Sequence, residues 1–213
     1  MKLRWFGQSC FLLTSNAGTR VLMDPFFRMM GYKVPEVEAD VVTTSHDHFD
    51  HNYLGAVKGN FYHIDRPGTY IHKDIGISGI LTYHDKTQGA KRGPNIIYAF
   101  SVDGIRLCHC GDLGHLLSPE QISEIGKVDV LLLPVGGSFA ISVEEATEVR
   151  KQIKPAITIP MHFRTRALGL FGLFFAPVGK FLTAAGEQAR EVKELSLDTG
   201  TLAENAGIVV MSY

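Results

Sequence analysis

The sequence predicts a mixed α/β layered sandwich. Apolar, strand-like runs dominate both ends of the chain, helix-start signals are spread between them, and 45% of the 213 residues are hydrophobic, enough for a sizeable core. That distribution fits stacked layers better than one doubly wound sheet.

In chain order, residues 2–6, 10–14 and 20–23 read as strands, with Asn16-Ala17-Gly18 as the turn between the last two. Asp24-Pro25 stops that run. An apolar strand over 39–44 leads directly into Ser45-His46-Asp47-His48-Phe49-Asp50-His51. A short helix is expected near 52–57, then strands over 70–72 and 77–83. Segments 95–102 and 105–109 pair across Asp103-Gly104, a strong hairpin signal. Ser118-Pro119-Glu120 opens a helix with an N-cap and a proline at the first helical position. A buried strand follows over 128–133. Ser142 and Glu145 form a capping-box pair at the start of the next helix, which Lys154-Pro155 ends. Residues 156–160 are another apolar strand, followed by His162. A short helix over 178–184 and strands over 189–194 and 207–211 complete the reading, and the lack of repeats or polar linkers predicts a single domain over 1–213.

Charge narrows the function classes. With 21 Lys+Arg against 22 Asp+Glu, the formal net charge is −1, and no basic run is present, so a broad nucleic-acid-binding surface is not expected. The strongly apolar stretch over 168–176 is about half of the roughly 20 residues that a membrane-spanning helix needs. The N-terminus has no apolar run leading to a small-residue cleavage site, which points to the cytoplasm. Cys10, Cys108 and Cys110 are odd in number and do not form a disulfide framework. Nine histidines are the compositional oddity.

Four of the chemistry-bearing residues fall within six positions. His46, His48, Asp50 and His51 sit just beyond a buried strand, where side chains can converge. Imidazole and carboxylate are the ligand types of zinc and related divalent ions, and alternate residues can serve one ion while the adjacent Asp-His pair serves a second.

The motif set resembles the metallo-β-lactamase fold superfamily of metal-dependent hydrolases. Ser45-His46-Asp47-His48-Phe49-Asp50-His51 is similar to its signature, Tyr83-His84 to the next ligand motif, His109-Cys110-Gly111-Asp112 to the Gly-Asp motif, and Ile159-Pro160-Met161-His162 to the last. All stand in the expected order. The branch it looks most like contains ascorbate-6-phosphate lactonase and N-acyl phosphatidylethanolamine phospholipase D, with residues 130–137 similar to the segment between that branch's last two motifs. The resemblance implies a four-layer αββα sandwich and two divalent ions, zinc first, with manganese or iron as alternatives. It implies His46, His48 and His84 on one ion, Asp50, His51 and His162 on the other, and Asp112 bridging both. Asp24 resembles the acid that buttresses a ligand histidine, with a turn-capping role as its rival. His109 reads as a supporting or strand-packed residue rather than a ligand.

The activity so implied is hydrolysis of a phosphodiester, lactone or other ester-like bond by a metal-bridging hydroxide oriented by Asp50, while His115, three residues after Asp112, reads as a proton donor to the leaving group or a substrate contact. The substrate is expected to be a small molecule, with an anionic one compatible with the bound cations. The rivals are an iron-dependent oxidoreductase on the same fold and a catalytically silent metal-binding regulatory protein. Serine catalysis is disfavoured, because Gly136-Gly137-Ser138-Phe139-Ala140 lacks the closing glycine of a nucleophile elbow. Lys86, Lys91 and Arg92 follow His84 closely and read as an anion-attracting loop or a solvated one. The segment over 163–176 is open between core packing, a lid over the cleft and a homo-oligomer contact.

Overall fold

The computed structural model describes residues 1–28 and 31–213. Its elements in order are β1 (Lys2–Gly7), β2 (Cys10–Thr14), β3 (Arg20–Met23), β4 (Val37–Glu38), β5 (Val41–Thr43), β6 (Val57–Lys58), β7 (Tyr62–Ile64), β8 (Gly68–His72), β9 (Ile75–Tyr83), β10 (Pro94–Val102) and β11 (Ile105–His109). They continue as α1 (Pro119–Ile125), β12 (Val130–Pro134), α2 (Val143–Ile153), β13 (Ile157–Met161), α3 (Val178–Ala185), β14 (Ala189–Val192), β15 (Glu194–Ser196) and β16 (Gly207–Met211).

Two sheets face each other across the main core. One has the order β15-β1-β2-β3-β5-β7 and the other β14-β16-β13-β12-β11-β10-β9-β8. Alternation along the first sheet sends Leu3, Trp5, Phe11, Leu13, Val21, Met23 and Val41 into the space between the sheets. The intervening Cys10, Leu22 and Val42 point to a second apolar cluster with Phe26, Tyr32, Leu168 and Phe175. On the second sheet, β12 and β13 are parallel and buried at every position, because that sheet is covered on both faces. Helix α1 packs on β9, and α2 packs on β12 and α3. This is the layered α/β sandwich that the motif resemblance implies. Among the described residues, the layer outside the six-stranded sheet is carried by loops and the 3₁₀ segments Leu54–Ala56 and Arg166–Phe174.

Local signals hold where they are self-contained. Ser118 and Gln121 form a complete capping box at α1, and Ser142 and Glu145 do so at α2. The hairpin at Asp103-Gly104 joins β10 to β11. Three expectations change. The helix near 52–57 is a 3₁₀ turn followed by β6. The strand over 189–194 breaks at Lys193, so β14 pairs with β16 in one sheet while β15 pairs with β1 in the other. The apolar segment after His162 is neither a core helix nor wholly exposed: Leu168, Gly172 and Phe175 are buried, whereas Leu170, Phe171, Leu173 and Phe174 face outward, with a kink at Gly169. No helix among the described residues is long and apolar enough to cross a membrane.

Candidate metal centre

The loops that carry the chemistry leave the C-terminal ends of β5, β9, β11 and β13, so four segments distant in sequence converge at one end of the sandwich. Side chains of His46, His48 and His84 offer ligand atoms within 4.8 Å of one another, and so do those of Asp50, His51 and His162. A third such group, His46, His51 and Asp112, joins the two. Asp112 Oδ2 lies 3.2 Å from His162 Nε2, 3.3 Å from His51 Nε2 and 3.6 Å from His84 Nε2. The structure therefore brings together all seven residues expected as ligands. Asp50 Oδ2 is 3.5 Å from His51 Nε2 and 4.0 Å from His162 Nε2, and its side chain is 16% exposed against 3% for Asp112. Of the two carboxylates it has the better access to a substrate.

Backbone conformation enforces the convergence. Asp24 and His162 have positive φ, 45° and 53°, a left-handed region that non-glycine residues occupy only where surrounding contacts hold them. The Asp24 N–H donates to Thr43 carbonyl (2.9 Å), and the His162 N–H donates to Gln8 carbonyl (3.2 Å). Gly111, at φ 54°, carries the turn into Asp112, and a Cβ there would overlap Asn95 Oδ1 and Ser45 Cβ. Glycine is required by both conformation and space.

Asp24 is fully buried and accepts three hydrogen bonds: Ser45 N–H to Oδ1 (2.8 Å), Ser45 Oγ–H to Oδ2 (2.6 Å) and His51 Nδ1–H to Oδ2 (2.8 Å). The serine hydroxyl has one proton, and Asp24 takes it. Ser45 Oγ must therefore accept from His46 Nδ1–H at 2.9 Å. One carboxylate thus fixes the tautomer of two histidines, leaving Nε2 of each with its lone pair toward the cluster. The contacts of Asp24 run to Ser45 and His51, the pattern a buttress needs.

His109 belongs to none of the ligand groups among the described residues. Its Nε2–H donates to Ser9 carbonyl (2.8 Å), and its Nδ1 accepts the Gly111 N–H (3.2 Å), which holds the turn before Asp112. Asn95, buried and unheralded by any sequence signal, accepts the Asp112 N–H (2.9 Å) and donates to Cys110 carbonyl (3.0 Å) and Thr82 Oγ1 (2.8 Å). Ser45 was detectable only as the residue before the first histidine. The three cysteines are buried and free, and none belongs to a ligand group among the described residues.

His115, expected as a proton donor, belongs to none of the ligand groups among the described residues. The Tyr83 N–H donates to its Nε2 (3.1 Å) and its Nδ1–H donates to Leu116 carbonyl (2.7 Å), so both ring nitrogens face backbone. His115 instead pins the strand end from which His84 projects.

The donor set fits divalent cations. His46 Nε2, His51 Nε2 and Asp112 Oδ1 are buried without a hydrogen-bond partner, and an unmatched buried polar atom costs roughly 1–3 kcal/mol. Nitrogen and carboxylate oxygen at this spacing are the ligands that zinc, manganese and iron accept. Electrostatics agree. Burial lowers His46 to about 3, reinforced by the charge of His51, and burial also leads in lowering His84 to about 4, so both rings stay neutral. Burial by itself would raise Asp112 and Asp50, yet the neighbouring histidines, His162 and His51 foremost for Asp112 and His51 for Asp50, hold both well below the carboxylate range. Asp24 is likewise lowered, its burial outweighed by the His51 hydrogen bond and charge. His51 moves the other way: burial disfavours its charge, but Asp112 and Asp50 push it well above the ordinary imidazole value. In the metal-free chain those two carboxylates favour a proton at the His51 Nε2 that a bound cation would displace.

Comparison with known proteins agrees with this geometry. Residues 2–162 match the family described as the beta-lactamase superfamily domain. A metal-dependent hydrolase of Archaeoglobus fulgidus is 30% identical over 201 residues, covering 78% of this chain and 84% of that one. One from Thermoplasma acidophilum is 29% identical over 212 residues, covering 87% and 91%. A crystal structure from Thermotoga maritima, described as a zinc-dependent hydrolase of the metallo-beta-lactamase superfamily, superposes with a TM-score of 0.82 at 40% identity, covering 99% of this chain and 97% of that chain. The match over most of the chain, with the histidine and aspartate groups at the strand ends, places it as a member of the metallo-β-lactamase superfamily, alongside relatives that carry the name metal-dependent hydrolase.

Proposed function

We propose that the chain is a dinuclear metal-dependent hydrolase of an ester-like bond in a small substrate, with zinc as the first choice of ion. The observation that carries the reading is Asp112 Oδ2, which sits 3.2–3.6 Å from the Nε2 atoms of three histidines drawn from three segments. His46, His48 and His84 would hold one ion, Asp50, His51 and His162 the other, with Asp112 between them. When bound, such ions supply Lewis acidity and lower the pKa of water toward about 7.

The chain's own residues do the rest. Asp24 and Ser45 hold the Nδ1 protons of His51 and His46, so that Nε2 of each is the atom aimed inward and available to a cation. His109 and Asn95 hold the backbone of the Gly111-Asp112 turn, so the central carboxylate does not swing with substrate. Asp50, the more accessible carboxylate, orients the attacking water and accepts its proton. Asp50, having taken that proton, is placed to return it to the leaving group.

Residues 1–213 act as one domain in this reading, because the main core contains side chains from Met1 to Met211. Three buried free thiols suit a reducing compartment such as the cytoplasm.

The test has two parts. Elemental analysis of purified protein is expected to give close to two transition-metal equivalents per chain. The metal-loaded protein is then assayed against phosphodiester, lactone, carboxylic ester and thioester panels. Full activity in a preparation freed of metal, or full activity in Asp112→Ala, would overturn the reading.

A further inference from the structure

His46 and His51 are steered through Nδ1, which donates to Ser45 Oγ in one and to Asp24 in the other. His162 has no such tie. Its Nδ1 is buried without a hydrogen-bond partner, and the rings beside it, Phe175 at 5.0 Å and His51 at 5.8 Å, limit its tilt by packing alone. The direction of its Nε2 therefore depends on the backbone that carries the ring. That backbone is left-handed, at φ 53°, a conformation that persists only where surrounding contacts over-determine it.

The turn between β1 and β2 supplies those contacts. The Gln8 carbonyl accepts the His162 N–H (3.2 Å) and also the indole Nε1–H of Trp5 (3.0 Å), one donor for each of its lone pairs. Gln8 is itself left-handed, at φ 47°, and its buried carboxamide makes no hydrogen bond. The register of β1 against β2 shifts between Trp5 and Gly7, so the indole bond ties the turn where the strand ladder is disrupted. Trp5 grips the other side of His162 as well. Its ring lies 5.3 Å from Phe163, the next residue, and is enclosed by Phe11 at 6.2 Å and Tyr213 at 5.6 Å. One rigid, buried side chain thus holds the amide of His162 through Gln8 and its neighbour through ring contact.

We infer that Trp5 is the positioning residue of His162: its indole N–H fixes the Gln8 carbonyl that receives the His162 amide, and so aims His162 Nε2 at the cluster. This deepens the dinuclear reading above and rests on it. The effect falls on the ion that Asp50, His51 and His162 would share and leaves the other alone.

The chain has one tryptophan, so a single atom of it can be exchanged without touching any other residue. Protein produced with 3-benzothienylalanine in place of tryptophan keeps the size and packing of the ring and carries sulfur where the indole has N–H. Zinc binding is measured by competition with a chromogenic chelator, beside stoichiometry and thermal unfolding of the metal-free form. One of the two zinc constants is expected to weaken 10–100-fold, the usual loss when an outer hydrogen bond to a metal site is removed, while the other stays within twofold. In His162→Ala the same exchange is expected to change zinc binding by less than twofold, because no ligand remains for the N–H to position. Leu13→Val, in the same core but away from the turn, is expected to lower the melting temperature with both zinc constants within twofold. Constants that are both unchanged by the exchange, or both weakened alike, would overturn the inference. So would a loss that persists in His162→Ala, or an equally selective loss in Leu13→Val. Native protein that binds fewer than two zinc ions overturns the dinuclear reading together with this inference, whereas two bound ions indifferent to the exchange overturn the inference alone.

Discussion

Replacing Asp24 by asparagine removes one charge and one acceptor without changing shape, in a residue that makes no direct contact with the proposed cation positions. The native carboxylate accepts from Ser45 N–H, Ser45 Oγ–H and His51 Nδ1–H at 2.6–2.8 Å. Asparagine offers one oxygen. If that oxygen keeps the Ser45 N–H, the amide NH₂ faces His51 Nδ1, which must then give up its proton. The proton moves to Nε2, the atom aimed at Asp112, and His51 is lost as a ligand. If the amide turns the other way, its NH₂ opposes the buried Ser45 N–H at a cost of roughly 1–3 kcal/mol. Loss of a group that fixes a ligand tautomer typically lowers metal affinity 10–100-fold, or about 1.4–2.7 kcal/mol. The assay is competition with a chromogenic chelator at fixed pH, run beside thermal unfolding of the same samples. A variant that matches wild type within twofold in affinity, with an unchanged melting temperature, would refute the tautomer argument.

Other consequences can be checked on the same material. Asn95→Ala deletes three buried hydrogen bonds around Asp112 and is expected to cost about 2–4 kcal/mol, read as a lowered urea midpoint; an unchanged midpoint would remove Asn95 from the support of the turn. Gly111→Ala forces a side chain into left-handed backbone and against Asn95 and Ser45, so a folded variant with reduced metal stoichiometry is expected, and full occupancy would contradict the packing. Stability of the metal-free chain should peak near pH 6.5. Below that value unfolded histidines take up protons that His46, lowered to about 3, and His84, lowered to about 4, refuse in the fold, so stability falls with acid by at most about 1.4 kcal/mol per pH unit for each. Above it, the raised His51 contributes less and less as pH climbs through its folded value. Urea midpoints that rise steadily from pH 6.5 to 5 would contradict this. Zinc at 100 times its dissociation constant is expected to add about 2.7 kcal/mol to stability, measurable as a chelator-reversible rise in melting temperature.

The sequence by itself determined whatever depends on neighbours along the chain. Helix starts at Ser118 and Ser142, the Asp103-Gly104 hairpin and the strand alternation of residues 2–23 are local choices of backbone and period, and all appear in the fold. The cluster at His46, His48, Asp50 and His51 was legible for the same reason, since four ligand types in six residues need no tertiary contact to be noticed. His84, Asp112 and His162 entered only through resemblance, because no local pattern says that the ends of β9, β11 and β13 meet. Tertiary structure alone decided that meeting, and with it the partners of each polar atom. Nothing in the sequence distinguishes His115, turned to Tyr83 and Leu116, from His84, turned to Asp112. Nor does it show Asn95 beneath Asp112, or a strand that changes sheets at Lys193. Hydrogen-bond partners and sheet membership are set by which surfaces pack together, and one period-2 pattern suits either sheet equally. Composition could count nine histidines, but only the folded chain sorts five into one cluster with two carboxylates and commits His109 and His115 to holding its backbone.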